Sequence, residues 1–423
     1  MAKLKYCFVL FFILHFSFFI VNAQEKYRTQ IFDNEIKTLQ IYQSGNPFSY
    51  PVLTLGSNEQ LSVSFDQMSH STQNYSYAIV HCNADWTPSG LFEAEYIDGF
   101  SKNIIENYEL SMNTTLDYMH YWFDFPNRDF QFKVSGNYVV KVYVDNEPDK
   151  VLCTATFSVV EPLVNVFGKI RANTDIDTQN KHQQIDFEVI NNKFQIRDVM
   201  TELKATVRQN NRPDNEATGL KPTFIAPGKQ SYINNRALIF EGGNEFRQFD
   251  VSTIRTLDFS VENISFVSPY FHVELKQDGI LNNLPYQFRQ DVNGMYVINL
   301  QLNDFNDETE ADYVFVHFSL YSKEPSLMGK VYLSGDLTQR ILDENSEMTY
   351  NFSTHCYEKT LLLKQGGYNY QYLFVGNGET TGQTAPIEGS HWQTENDYQI
   401  FVFHRGFGDR YDRLIGYQLL NNK

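Results

Sequence analysis

The stretch Ile79-Val80-His81-Cys82-Asn83-Ala84-Asp85-Trp86-Thr87-Pro88-Ser89-Gly90 holds the residues best suited to chemistry: a thiol beside an imidazole, with a carboxylate three residues on. A cysteine nucleophile needs a base within hydrogen-bond reach of its sulfur. The run into it, Tyr75 to Cys82, alternates as a strand does, and neighbouring strand residues point to opposite faces. Ala78, Val80 and Cys82 then share one face, and His81 lies on the other with Tyr75, Tyr77 and Ile79. His81 does not serve Cys82 in that arrangement, and Cys82 reads as a buried structural thiol. Cys153, which alternates with Ala155 and Phe157, reads the same way. A disulfide between Cys82 and Cys153 would require their strands to be neighbours.

Other constellations are weaker. Asp175 and Asp177 stand at alternate positions in "NTDIDTQNKHQQID", as in a calcium loop. Such a loop wants glycine at its sixth position and glutamate at its twelfth, where this chain has Asn180 and Asp186. A polar hairpin turn is the better reading. The acidic run Asn303 to Asp312 reads as a solvated link. The ten histidines form no H-x-x-x-H or HExxH pair, so zinc has no support. No GxSxG, P-loop or dinucleotide fingerprint occurs.

The elements that must position these residues are strands. Period-two alternation runs through Gln60–Gln67, Asn74–Cys82, Gly136–Asp145, Val151–Val160, Gln184–Ile190, Phe271–Gln277, Asp312–Tyr321 and Asn396–His404, broken by Asn, Asp, Gly and Pro. The 35 Phe and 27 Tyr suit pleated, half-buried surfaces. The best helical candidate, Ser101 to Ser111, is short. The chain is expected to be all-β, with serial Ig-like β-sandwich domains forming one rigid elongated body. Glu161-Pro162 marks a domain exit, and the acidic run a second boundary. The expected division is 1–23, 24–162, 163–302 and 303–423.

Residues 1–23 read as a secretory signal peptide: Lys3 and Lys5, then the apolar run Tyr6 to Val21, then Val21-Asn22-Ala23 as the cleavage site. No later segment approaches the roughly 18 apolar residues of a spanning helix. Export is expected, to a soluble or membrane-peripheral state. The net charge of −17, more negative by two without the leader lysines, argues against nucleic acid and anionic headgroups as partners. Three cysteines then remain, too few and too odd for a disulfide scaffold.

The last block adds a second resemblance. "KVYLSGDLTQ" followed by "YEKTLLLKQGGYNYQYLFVGNGE" is similar to starch-binding, Ig-like modules, which stack sugars on exposed tryptophan. The tryptophan expected after Gly335-Asp336-Leu337 is replaced by Thr338-Gln339-Arg340. A periplasmic glycan-binding protein would have to use Trp392 with Tyr368, Tyr370 or Tyr372.

A longer set of motifs resembles the plug protein family of the type IX secretion system over nearly the whole chain after the leader. "HCNADWTPSGLFEAEYIDGF" carries His81, Cys82, Asp85, Trp86, Tyr96 and Gly99. His120 and Tyr121, then Pro126 and Asn127, follow in order. Near the other end, "LLLKQGGYNYQY" carries Lys364, Gln365, Gly366, Tyr368 and Tyr370, and "IEGSHWQTENDYQIFVFHR" carries Glu388 and Gly389. The middle block offers no such motif. The resemblance implies a non-enzymatic periplasmic protein of Gram-negative bacteria, without cofactor, at the inner face of the outer membrane. It would be monomeric within a complex with a very large translocon β-barrel, whose periplasmic opening it seals when no cargo is engaged. The signature residues would be structural or interfacial. His81 to Asn83 then read as a strand end and Asp85 as a turn-former. Trp86 reads as a packing anchor, with an interface hot spot as the alternative.

Overall fold

The computed structural model describes residues 26–100, 102–191, 193–301 and 306–422, so the expected leader and its cleavage site lie outside the described residues. With 47% strand and 5% helix, the all-β expectation holds. The chain forms three bodies, each with its own apolar core.

The first body is built by β1 (Gln30–Ile31), β2 (Ile36–Gln43), β3 (Val52–Thr54), β4 (Leu61–Gln67), β5 (Tyr75–Cys82), β6 (Ile97–Gly99), β7 (Lys102–Ile104), β8 (Asn107–Leu110), β9 (Met119–Phe125), β10 (Phe130–Phe132), β11 (Gly136–Val144) and β12 (Val151–Val160). One sheet runs β1-β12-β11-β5-β7, with β3 parallel to β12; the facing sheet runs β2-β4-β9-β8. Alternation sends aromatic rings inward from both sheets. Phe65 stacks on Tyr121 at 5.3 Å and Tyr77 on Phe123 at 4.1 Å. Each such pair is worth about 0.5–1.5 kcal/mol beyond its buried area.

The helical reading of Ser101–Ser111 is corrected: this segment supplies β7, paired with β5, and β8, paired with β9. Ile105 is buried while Ile104 beside it is exposed, which is strand periodicity. Two sheet edges offer ladder bonds that outweigh a helix of barely three turns.

The second body begins with β13 (Asn165–Arg171), β14 (His182–Ile190), β15 (Leu203–Gln209), β16 (Phe224–Ala226), β17 (Lys229–Tyr232) and β18 (Ile239–Glu241). The chain then leaves to make the third body from β19 (Arg247–Asp250), β20 (Val261–Val267), β21 (Tyr270–Leu275), β22 (Tyr296–Ile298), β23 (Tyr313–Tyr321), β24 (Gly329–Ser334), β25 (Thr349–Asn351), β26 (Cys356–Lys364) and β27 (Gly366–Gly376). It returns as β28 (Asp397–His404) and β29 (Arg413–Asn421), which complete the sheet β15-β28-β29 of the second body.

The expected break at 302/303 therefore does not follow the cores. The second core joins Val164–Phe240 to Tyr398–Ile415, and the third joins Phe249–Ile298 to Ala311–Ile387. The reason is pairing: β15 finds its full-length partner in β28, from Leu203 opposite His404 to Gln209 opposite Tyr398. Nothing local in either strand names the other.

Candidate docking site at the junction of the three bodies

His81 and Cys82 end β5, both buried. The His81 ring lies edge-on to Tyr138 and Tyr411, with Nε2 3.3 Å from the Ser135 carbonyl. Burial pushes its pKa down to about 4 and pushes the Cys82 thiol up to about 12. A neutral, packed imidazole beside a protonated thiol is not an activated nucleophile. Cys82 and Cys153 are both free: β11 lies between their strands, with Cys82 opposite Asn137 and Cys153 opposite Val142. The disulfide is thus excluded by topology.

The turn after β5 reaches the second body. The Asp85 carboxylate accepts from the Thr87 amide at 3.2 Å and the Thr87 hydroxyl at 2.6 Å. It leaves Trp86 half-buried in the left-handed region, at φ 67°. The Arg208 guanidinium of β15 sits 5.7 Å from the Trp86 ring. Beside it, the buried Asp412 carboxylate accepts from the Ala84 amide at 3.0 Å and from Lys204 Nζ at 2.8 Å. A small apolar cluster of Val52, Val160, Phe401, Phe403 and Leu414 fills the same seam.

The other expected signature residues of the first body make contacts within that body. Tyr96 hands its hydroxyl hydrogen to the Ile79 carbonyl at 3.1 Å, and Tyr121 does the same to Gln73 at 2.9 Å. Pro126 follows β9, and the Asn127 side chain spans the next turn, bonding the Asp124 carbonyl and the Asp129 amide at 3.2 and 2.9 Å. Gly99 has φ +109°, and a Cβ there would stand 2.0 Å from the Asp129 carbonyl oxygen.

A second seam joins the first body to the third, around Asp66. The Asp66 and Lys364 side chains are both 0% exposed, with Nζ 2.7 Å from the carboxylate. His120 Nδ1 and the Tyr313 hydroxyl reach the same carboxylate, each at 2.6 Å. Lys364 also donates to the Glu308 carbonyl at 2.6 Å and lies over the Tyr118 ring. Burial by itself would raise the Asp66 pKa; Lys364 and His120 overcome it and hold the carboxyl below its ordinary value.

The acidic run expected to be a solvated link is part of this seam: among its described residues, Asp307–Glu310 form a short helix, α1, capped by the Asn306 side chain. Asp312 is buried and accepts from the Thr115 amide at 2.9 Å, while Gln365 takes the Asp312 amide at 3.0 Å. Gly366 follows at the start of β27, packed against the Val297 carbonyl. Tyr368 donates to the Lys364 carbonyl at 2.5 Å.

Further into the third body, Arg247 pairs with Glu388 at 2.9 Å and Asp278 at 2.6 Å, and Tyr370 donates to Asp278 at 2.8 Å. Gly389 turns the chain behind Glu388 at φ +85°. Tyr368, Tyr370 and Tyr372 are core residues, so no aromatic platform forms with the half-buried Trp392. The glycan-binding expectation is corrected on that ground. The calcium-like loop is a hairpin turn between β13 and β14, with Asp177 engaged by Thr174, the Lys181 amide and His182.

The seams leave a cavity of about 980 Å³ among the three bodies, walled by Trp86 and Arg28 of the first, Arg208 and Phe401 of the second, and Tyr296 and Arg340 of the third. Sequence reasoning missed Asp66, Asp412 and Tyr313. Asp66 alternates with Ser62 and Ser64 on what reads as a solvent face; only the third body, packed over it, makes that face interior.

Residues 36–161 match the first domain of the type 9 secretion system plug protein. The chain carries the first domain of the type 9 secretion system plug family over these residues. A crystal structure of a hypothetical protein from Parabacteroides merdae is 46% identical, covers 94% of this chain and 100% of that chain, and superposes with a TM-score of 0.92. A Pseudomonas fluorescens alkylpurine DNA glycosylase, AlkC, bound to DNA with an abasic site analog, is 14% identical over 30% of each chain with a TM-score of 0.16, which carries no argument. No curated protein matches. Of the residues expected to form the family signature, those from His81 to Asn127 lie in the matched domain, and Lys364 to Gly389 lie in the third body. His120 and Lys364 meet across the seam on Asp66.

Proposed function

We propose that this chain is a non-enzymatic periplasmic plug that docks on the periplasmic opening of the large outer-membrane translocon barrel of the type IX system and seals it while no cargo is engaged. The plug-family domain at residues 36–161 carries this reading. The physical fit supports it. An opening wide enough for folded protein needs a wide, stiff obstacle. Here three β bodies are joined by buried charge and hydrogen bonds as well as by chain connections. The task requires no active site. The most reactive-looking pair, His81 and Cys82, is held neutral and packed.

The test is a mild-detergent capture of the tagged protein from its own cells, followed by mass spectrometry. Recovery of one very large outer-membrane barrel in near-equal amount is expected. Recovery of the tagged chain without a membrane protein would overturn the reading. Deleting the gene is further expected to make the outer membrane leaky to large polar dyes; an unchanged barrier would count against sealing.

A further inference from the structure

The junction cavity has the chemistry of a peptide site. Its volume of about 980 Å³ is at the top of the range usual for ligand pockets, about 300–1,000 Å³. Six basic side chains and three carboxylates line it, although the chain as a whole carries −17. Two of the cations are matched within the wall, Arg208 by Glu216 at 2.8 Å and Arg340 by Asp336 at 2.6 Å. Lys204 is matched by Asp412 at 2.8 Å, so the surplus lies with the exposed Lys26, Arg28 and Lys221, set against Asp85.

Three sheet edges also converge there. β1 ends the first sheet, β2 ends its partner sheet, and β15 ends the sheet β15-β28-β29; residues of all three line the cavity. On β15, Val207 exchanges both backbone bonds with Ala217, at 2.9 and 3.0 Å. Ala205, two residues earlier, is buried, so the edge of β15 is closed by the chain itself and the half-buried edges that remain open are those of β1 and β2. Between the edges stands Trp86, held in a conformation that a bulky residue adopts only when its surroundings dictate it. Arg208 sits between the Trp86 and Phe401 rings, 5.7 and 5.9 Å from their centroids.

We infer that this cavity binds an extended acidic peptide segment, which adds its backbone to an open sheet edge, sets carboxylates against Lys26 and Arg28, and lays an apolar side chain on Trp86. Open edges select an extended backbone and alternating pockets select its side chains, which favours a peptide over an anionic sugar. The inference stands on the cavity and does not depend on the plug reading.

The experiment titrates the full exported chain by calorimetry and by tryptophan fluorescence. The probes are a capped octapeptide of alternating glutamate and valine, its lysine–valine counterpart and an oligogalacturonate. The acidic peptide is expected to bind, with affinity falling as salt rises, and the lysine peptide to be inert. The double variant Lys26→Glu, Arg28→Glu is expected to bind at least about tenfold more weakly, with an unchanged thermal unfolding curve. Trp86→Phe is expected to remove the fluorescence response while calorimetry still detects the peptide. No binding of the acidic peptide, equal binding of the lysine peptide, indifference to the double variant, or binding of the sugar in its place would each overturn the inference.

Discussion

At the scale of single residues, Asp66 is the most consequential side chain. Among the described residues it is the one carboxylate paired with the fully buried Lys364 ammonium, and it also serves His120 and Tyr313. Asp66→Asn keeps the volume and removes the charge, which leaves an ammonium buried without a counter-ion. Breaking such a pair typically costs about 3–5 kcal/mol, and that loss is expected in urea unfolding. Asp66→Asn with Lys364→Met should recover much of it, because two well-packed neutral groups avoid the desolvation penalty. The pH dependence has a definite sign. The folded-state carboxyl is held below its ordinary value, so its contribution is complete above the usual aspartate range, about 3.9. It is lost as pH falls through the lower folded-state value. Unfolding followed from pH 7 down to pH 2 is expected to show this step in the native chain and lose it in Asp66→Asn; identical profiles would refute the assignment.

At the scale of elements, the pairing of β6 with β10 depends on Gly99, opposite Phe130. A side chain there would require φ near +109° and would run into the Asp129 carbonyl. Gly99→Ala is expected to cost about 2–3 kcal/mol. Increased proteolysis should be confined at first to residues 92–99 and 126–133, since the two main sheets of the first body include neither β6 nor β10. A variant as stable and as protease-resistant as the parent would show that this strand pair can shift without cost. α1 makes the complementary point. A run of acidic residues that would be solvated in isolation is tied down because its carbonyls accept from Lys364, Tyr118 and the Met112 amide.

At the scale of the molecule, the third body is inserted between β18 and β28 of the second. A chain ended at residue 302 therefore lacks β28 and β29, which carry Tyr398, Ile400, Val402 and Ile415 of the second core. That truncated chain is expected to leave a protease-resistant fragment limited to about residues 26–162. A chain of residues 26–241 linked directly to 397–422 is expected to protect the second body as well. If the first truncation protected residues 163–241 instead, the discontinuous core would be wrong.

The local alphabet of this chain determined the strands. Alternation, aromatic content and turn residues are properties of neighbouring positions, and a strand needs little more than a partner to express them. The ends of β5, the turn at Asp85 and the hairpin at Asp175–Asp177 were legible for the same reason, and so were the motifs that resemble the plug family. Tertiary structure alone decided which strands share a core, because a ladder such as β15 with β28 joins positions nearly 200 residues apart through backbone groups common to every residue. It also decided which polar faces are solvent and which are seams. Ser64 and Asp66 look alike in sequence; the body packed over them turns one carboxylate into the anchor of a buried lysine and leaves a basic cavity in an acidic protein.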